Sequence, residues 1–200
     1  MSNKQHKCEV EFCYVENETH NLNNFEYSMF VKRFWEFCLI AILPVVAMLG
    51  LSGLLHFLYV WLPCNLIAFF SPVSESVWEH VKIVFYPFLI VWALLFVWQK
   101  KAWSFRRVAL SAVAGALSSC FLVLTLYYFA HTAFEVGHSL VLDIVIEAVA
   151  FFVGHFLALH LQIRQKERYW TFLVAVVVGF LFAVLLGVFS FVHPKCPLFV

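Results

Sequence analysis

Long apolar stretches, separated by short polar connections, make up most of the chain. Five of them are predicted to span a membrane, at about residues 34–62, 77–98, 108–130, 140–161 and 170–192. A helix needs about 20 apolar residues to cross a hydrocarbon core roughly 30 Å thick. The pattern therefore predicts an all-α integral membrane bundle of about five transmembrane helices.

Two segments depart from this pattern. Residues 1–30 are polar and rich in Asn and Glu, with little periodicity, which is typical of a mobile tail. Residues 31–200 are then a single transmembrane helical domain. The apolar run Leu66–Phe70 is too short to cross a bilayer. We expect it to lie in the interface or to enter the membrane and return, ending at Ser71-Pro72.

Composition supports the membrane assignment and excludes other classes. Hydrophobic residues make up 64% of the chain, against roughly 45–50% in soluble domains, and the mean hydropathy is +0.89. The net charge of +1 leaves no basic surface for nucleic acid. The lipid bilayer is the predicted environment, and the composition does not indicate an oligomeric state.

Basic residues near the predicted helix ends fall on one side of the membrane. They are Lys32, Arg33, Lys100, Lys101, Arg106, Arg107, Arg164, Lys166 and Arg168. Short cytoplasmic loops carry an excess of Lys and Arg. The distribution therefore predicts a cytoplasmic N-terminus and an external C-terminus.

Histidines and acidic residues collect at the opposite, outer ends of the helices. They are Glu75, Glu79, His80, His131, Glu135, His138, Asp143 and His193, with His56 at a similar depth in the first span. Ionisable groups next to hydrocarbon are costly and usually have partners and a purpose. This asymmetry predicts a functional site at the outer face.

The start of the second span holds the densest part of this set. The residues sharing one helix face there are Glu75, Glu79, Lys82 and Tyr86. We predict catalytic roles for Glu75, Glu79 and Lys82, with one of the two glutamates as general base. An alternative for Glu79 is helix capping, because Ser76-Val-Trp-Glu79 matches the capping-box pattern.

Imidazoles and carboxylates on the outer side predict a divalent metal such as zinc. The candidate ligands are His80, His131, His138 and Asp143. A mixed set of His and carboxylate ligands with an open position is typical of catalytic zinc. We expect Glu79 or His80 to lie near His138 or Asp143. Alternatively, His131, His138 and His193 are interfacial loop residues without a ligand role.

Small residues recur at every fourth position in the last three spans. They are Ser111, Gly115 and Ser119, then Ala150, Gly154 and Ala158, then Gly179, Ala183 and Gly187. Such ridges let helix backbones approach closely in lipid. Asp143 and Glu147 share a face with the ridge of span four, so we expect both to point into the bundle.

Three segments of the chain resemble a family of small bacterial multi-pass membrane proteins that is known only as a domain of unknown function. The segments are Ser74-Glu-Ser-Val-Trp-Glu-His-Val-Lys82 with its downstream Pro87, Gly137-His-Ser-Leu-Val-Leu-Asp-Ile144, and Pro197-Leu-Phe199. The family motif reads N/S-E-S-x-W-E-H-x-K, and its usual Asn is Ser74 here. The resemblance covers most of residues 50–200 and implies an integral protein of the bacterial plasma membrane, without supplying an activity.

A looser similarity exists to the membrane hydrolase superfamily that includes alkaline ceramidases. Those proteins group Ser, Asp and three His around zinc at a membrane face, which implies a hydrolase with a lipid substrate. The chain departs from them in having five predicted spans rather than seven and no outward His-x3-His pair.

Three functions are compatible with these patterns. The one-sided polar cluster favours a metal-dependent hydrolase or transferase acting on a lipid or lipid-linked substrate at the outer face. An ion- or proton-coupled carrier is the first alternative, and its relay would consist of Glu79, Lys82, Asp143 and Glu147. A non-catalytic scaffold or partner subunit, associating through the small-residue ridges, is the second.

Overall fold

The computed structural model of the protein describes residues 36–133 and 139–191. Within these ranges it contains no strand, and its α-helices are α1 (Leu43–Trp61), α2 (Asn65–Phe70), α3 (Val77–Gln99), α4 (Phe105–Ala133), α5 (Leu140–Arg164) and α6 (Tyr169–Phe191). A π-helical turn, Cys38–Ile42, comes before α1. Of the described residues, 36–42 belong to one unit and those from 43 onward to another, and the description below concerns the second.

Five helices are long and apolar enough to cross a membrane. They are Cys38–Trp61, Val77–Gln99, Phe105–Thr132, Leu140–Arg164 and Tyr169–Phe191. The predicted all-helical bundle of five spans is therefore confirmed, with helix ends within a few residues of those expected. The protein is a multi-pass membrane protein. The predicted tail, residues 1–30, lies outside the described residues.

The short helix α2 forms where a non-spanning segment was expected. The backbone N–H of Ser71 closes it by donating to the carbonyl of Ile67 at 2.9 Å. The Phe70 ring lies 5.0 Å from the Tyr86 ring of α3, and the Phe69 ring occupies the space that a side chain at Gly187 of α6 would need. One face of α2 is therefore packed between spanning helices.

The small-residue ridges of α4 and α5 face each other. A Cβ atom added at Gly115 would lie 2.8 Å from Ala158 Cβ and 2.8 Å from the Gly154 carbonyl oxygen. Ser119 Oγ donates to the carbonyl oxygen of Ala150 at 2.9 Å. These contacts confirm that the ridges bring the two backbones together, as expected for helix association in lipid.

Helix α3 is the most enclosed of the spanning helices. It packs against each of the other five helices. Phe85, Phe88 and Trp92 are fully buried on it, and the Phe85 ring lies 5.0 Å from Phe182 of α6. The motif-bearing start of α3 is therefore held in the middle of the bundle, with α1, α2 and α6 around it.

The two ends of the bundle differ in their charged groups. Arg107 of α4 forms an ion pair of 3.3 Å with Glu167, and the Arg106 guanidinium lies 5.9 Å from the Tyr169 ring centroid. The α3–α4 and α5–α6 connections, both rich in Lys and Arg, therefore meet at one end, here called the basic end. His56 and His80 meet at the other end, with ring centroids 5.2 Å apart.

The predicted orientation places the basic end in the cytoplasm, and thiol labelling of intact cells tests it. Cys64 is exposed in the α1–α2 connection, and Ala102 is exposed in the α3–α4 connection. With Cys64 as the sole cysteine, we expect a membrane-impermeant maleimide to label the protein from outside. With all native cysteines replaced and Ala102→Cys introduced, we expect labelling only after permeabilisation. The reverse pattern would show that the orientation is inverted.

Candidate metal centre

Helix α3 starts at a serine cap. Ser76 is the N-cap residue, and its Oγ accepts from the Glu79 backbone N–H at 3.4 Å. The Glu79 carboxylate is used elsewhere, because its Oε2 accepts from the backbone N–H of Val73 at 3.0 Å. Capping therefore explains Ser76 but does not explain the Glu79 side chain.

Glu79 and Lys82 form a fully buried ion pair. Lys82 Nζ lies 2.6 Å from Glu79 Oε2, and both side chains are 0% exposed. Lys82 also donates to the Ala68 carbonyl oxygen at 2.8 Å and to Ser190 Oγ. The Ala68 carbonyl lies at the C-terminal end of α2, where exposed carbonyls favour a nearby cation.

This ion pair joins four elements at membrane depth. Lys82 is six residues past Ser76, which at 1.5 Å per residue is about 9 Å along α3. Through Lys82 and Glu79, α3 is linked to α2, to the loop at Val73 and to Ser190 of α6. The pair therefore fixes the loop between α2 and α3 in place.

Ser71 provides a second link between this loop and α1. Its side chain is buried, and its Oγ donates to the Leu55 carbonyl oxygen at 2.6 Å. The same Oγ accepts from the backbone N–H of Tyr59 at 3.1 Å. The α1 turn held in this way contains His56. The spacing between His56 and the α2–α3 loop is thus set by hydrogen bonds.

His56, Glu75 and His80 converge at the end of the bundle opposite the basic end. Each offers one ligand atom, and the three ligand atoms lie within 4.8 Å of one another. His80 Nε2 is 3.4 Å from Glu75 Oε2. We call this group the His56–Glu75–His80 cluster. It combines two imidazoles and one carboxylate, from α1, the α2–α3 loop and α3.

The His80 ring is oriented by the backbone of its own helix. Its Nδ1 lies 2.9 Å from the Ser76 carbonyl oxygen. Because a carbonyl can only accept, this hydrogen bond requires a proton on Nδ1, so Nε2, which faces Glu75, is the ring nitrogen that could bind a metal. Metal-binding histidines commonly have this second hydrogen bond, which fixes the ring and its tautomer.

The cluster is open on one side. The Glu75 side chain is 85% exposed and that of His80 is 31% exposed, while His56 is half-buried. Two His and one carboxylate with an open position form a ligand set found in catalytic zinc sites, whereas structural zinc sites are closed by a fourth protein ligand. The residues present therefore fit a zinc ion with one exchangeable position.

The other predicted ligands lie apart from this cluster or outside the described residues. The His131 ring is 4.2 Å from the Tyr127 ring on α4, and Asp143 is in the first turn of α5. Neither belongs to the group around His80. His138 falls outside the described residues, so its predicted ligand role stays a prediction, like those of His131 and Asp143.

Glu147, expected to point into the bundle, does so. Its carboxylate accepts from the hydroxyl of Ser52 on α1, and Ser52 is buried. The buried ridge residues Ala150 and Gly154 follow on the same face of α5. Glu79 contacts Lys82 and Val73, and His80 lies beside Glu75. The expected proximity of Glu79 or His80 to His138 or Asp143 stays a prediction.

His56 is the member of the cluster that the sequence did not single out as a site residue. It was noted at the depth of the outer cluster, but it lies 24 residues before His80 and forms no metal-binding motif with it. The predicted depth of His56 in the membrane, level with the outer cluster, was the signal that could have identified it. Only the packing of α1 against α3 brings the two rings together.

Comparison with known proteins agrees with the resemblance seen in the motifs. No curated protein and no solved structure matches the chain. A family model matches residues 27–200, which include every described helix and the His56–Glu75–His80 cluster. The chain therefore belongs to DUF6512, a family of unknown function.

Proposed function

We propose that the protein is a zinc-dependent membrane hydrolase or transferase that acts on a lipid or lipid-linked substrate. The observation that carries the proposal is the convergence of His56, Glu75 and His80, with ligand atoms within 4.8 Å of one another. These residues come from three separate elements, held in register by buried hydrogen bonds at Ser71 and Lys82. The packing of α1, the α2–α3 loop and α3 therefore brings the three ligand atoms together.

The composition of the cluster supports hydrolysis or group transfer. Zinc bound by three protein ligands keeps a fourth position for water, whose pKa falls to about 7. His80 supplies Nε2, because its Nδ1 is used by the Ser76 carbonyl. Glu75 is exposed and can rotate to complete the ligand set.

The surroundings of the cluster support a lipid-like substrate. Phe57 and Trp61, on the same end of α1, are 52% and 59% exposed, with ring centroids 6.1 Å apart. The Phe57 ring lies 4.9 Å from the His56 ring. An exposed Trp at a helix end, here Trp61, is typical of the membrane interface. The headgroup of a lipid at that level would reach the zinc site, and the acyl chains of the lipid would lie beside α1.

The three residues predicted to be catalytic take different roles in this proposal. Glu75 is a zinc ligand rather than a general base. Glu79 and Lys82 are fully buried and paired with each other, so we assign them to positioning the loop that carries Glu75. A general base has to reach the proton that it removes, and burial argues against that role for Glu79.

A carrier is the second candidate, and the observation that favours it is the ion pair of Glu79 and Lys82 at membrane depth. A scaffold receives less support. The ridges that were expected to bind a partner are used within the chain, since Gly115 and Gly154 face each other and Gly187 lies against Phe69. A carrier that uses the ion pair requires no zinc, so metal analysis separates it from the enzyme.

Zinc content of the detergent-purified protein tests the proposal. We expect about one zinc per chain after mild dialysis, and its loss in His56→Ala and in His80→Ala. Removal of one of three protein ligands typically lowers zinc affinity by more than the 10–100-fold seen for outer-sphere partners. The measurement is elemental analysis, followed by titration of the metal-free protein with zinc.

His131→Ala is the matched control. This histidine lies at the same end of the bundle, against Tyr127, and belongs to the ligand set predicted from sequence alone. We expect it to keep its zinc. Loss of zinc in His131→Ala with retention in His56→Ala would favour the sequence-derived set, and absence of zinc from all four proteins would reject the metal site.

A further inference from the structure

We propose that the basic end of the protein carries a binding site for the phosphate headgroup of an anionic phospholipid. A surface cavity of about 350 Å³, open to solvent on its outer side, lies where α5 ends and α6 begins. Its lining residues are His160, Leu161, Arg164, Gln165, Lys166, Arg168 and Thr171. It lies at the opposite end of the bundle from the His56–Glu75–His80 cluster, and the proposal is independent of the zinc site.

The cavity has an excess of positive charge. Arg164, Lys166 and Arg168 line it, and no acidic side chain does so in the part of the chain that the structure describes. The acid of this connection, Glu167, is paired with Arg107 of α4, with Nε 3.3 Å from Oε1. The three cations are therefore left to attract an anion from outside the protein.

Aromatic residues place the cavity at the level of the lipid headgroups. Tyr169 and Trp170 begin α6 directly after the basic connection, and they are 58% and 73% exposed. Exposed Trp and Tyr at a helix end mark the membrane–water interface. A phosphate in the cavity would therefore lie at the depth where phospholipid headgroups are found.

The chemistry of the lining residues suits a phosphate ester. Arginine guanidinium groups can bind two phosphate oxygens at once, and lysine adds a point charge. The site lies on the side that the Lys/Arg distribution predicts to be cytoplasmic, and basic pockets between helices on that side bind anionic headgroups. We therefore assign the site to an anionic phospholipid such as phosphatidylglycerol rather than to a free phosphate ion.

Lipid binding to the delipidated full-length protein in detergent tests the proposal. Phosphatidylglycerol, phosphatidylcholine and inorganic phosphate are titrated separately, and bound ligand is counted by native mass spectrometry. We expect phosphatidylglycerol to bind more tightly than phosphatidylcholine. In Arg164→Gln/Arg168→Gln, affinity for phosphatidylglycerol should fall on the order of thirty-fold, from the typical effect of two basic residues near an anionic surface.

Lys100→Gln/Lys101→Gln is the control with the same change of charge. Both lysines are in the α3–α4 connection at the same end and do not line the cavity, so this variant should bind phosphatidylglycerol nearly as well as the wild type. All four substituted side chains are exposed, and unchanged helical circular dichroism checks folding. Equal losses in the two variants, or no preference for phosphatidylglycerol, would overturn the proposal. Binding of inorganic phosphate alone would overturn the lipid assignment.

Discussion

Replacing Lys82 by methionine is expected to lower the free energy of unfolding by about 3–5 kcal/mol, because it leaves the Glu79 carboxylate buried without its cation. Lys82 Nζ is 2.6 Å from Glu79 Oε2, and neither side chain is exposed. The substitution also removes the donor to Ala68 and Ser190, which join α2 and α6 to α3. Denaturation of the purified protein in detergent measures the loss.

A double-mutant cycle separates loss of the ion pair from loss of packing. Glu79→Gln alone should also be destabilising, because Lys82 then stays buried without a counter-ion. The double variant Glu79→Gln/Lys82→Met should lose much less than the sum of the two single losses, since no uncompensated charge remains. Lys100→Met, at an exposed position, is the control and should change little. Additive losses in the cycle would show that the two groups do not interact.

Gly154→Ala is expected to destabilise the bundle by about 1–3 kcal/mol, through overpacking at the α4–α5 contact. The new Cβ would lie 2.7 Å from the Gly115 carbonyl oxygen and would overlap Ser119 Oγ. Ser119 also donates to the Ala150 carbonyl, so relief of the overlap would break a buried hydrogen bond. The Gly115 carbonyl oxygen is a backbone atom, and it cannot move aside as the end of a flexible side chain can.

Gly53→Ala is the matched control on α1. A Cβ at Gly53 meets no atom within 4 Å, and alanine is favoured over glycine inside a helix by about 1 kcal/mol. We expect the melting temperature to stay the same or rise in Gly53→Ala and to fall in Gly154→Ala. If the melting temperature changed equally in the two variants, the close approach of α4 and α5 at Gly154 would not contribute to stability.

The fold was predictable because local signals determine it. Apolar length sets the five spans, and the short run Leu66–Phe70 could be recognised as too short to cross. The ridge containing Gly154 predicted close packing from spacing alone, and α4 and α5 do meet there. Glu79 and Lys82, which form an ion pair, were placed on one helix face by their separation of three residues.

The site was predictable only in part, because its ligands come from different elements. Glu75 and His80 belong to one motif, and the sequence placed both at the outer face. His56 joins them only through the packing of α1 against α3. The other partners of Lys82 could not be predicted either, since Ser190, for example, is 108 residues away in sequence. No pattern in a single sequence indicates which helices become neighbours in a bundle.

X-ray absorption at the zinc edge reports the atoms bound to the metal, so it shows whether His56, Glu75 and His80 are its ligands. For the purified protein loaded with one zinc per chain, we expect nitrogen and oxygen ligands at about 2.0–2.2 Å, including two imidazoles. In His56→Ala and in His80→Ala, the number of imidazoles bound to zinc should fall from two to one, or the zinc should be lost. Sulfur ligands at about 2.3 Å, or a spectrum unchanged in both variants, would contradict the claim that His56, Glu75 and His80 form a metal site.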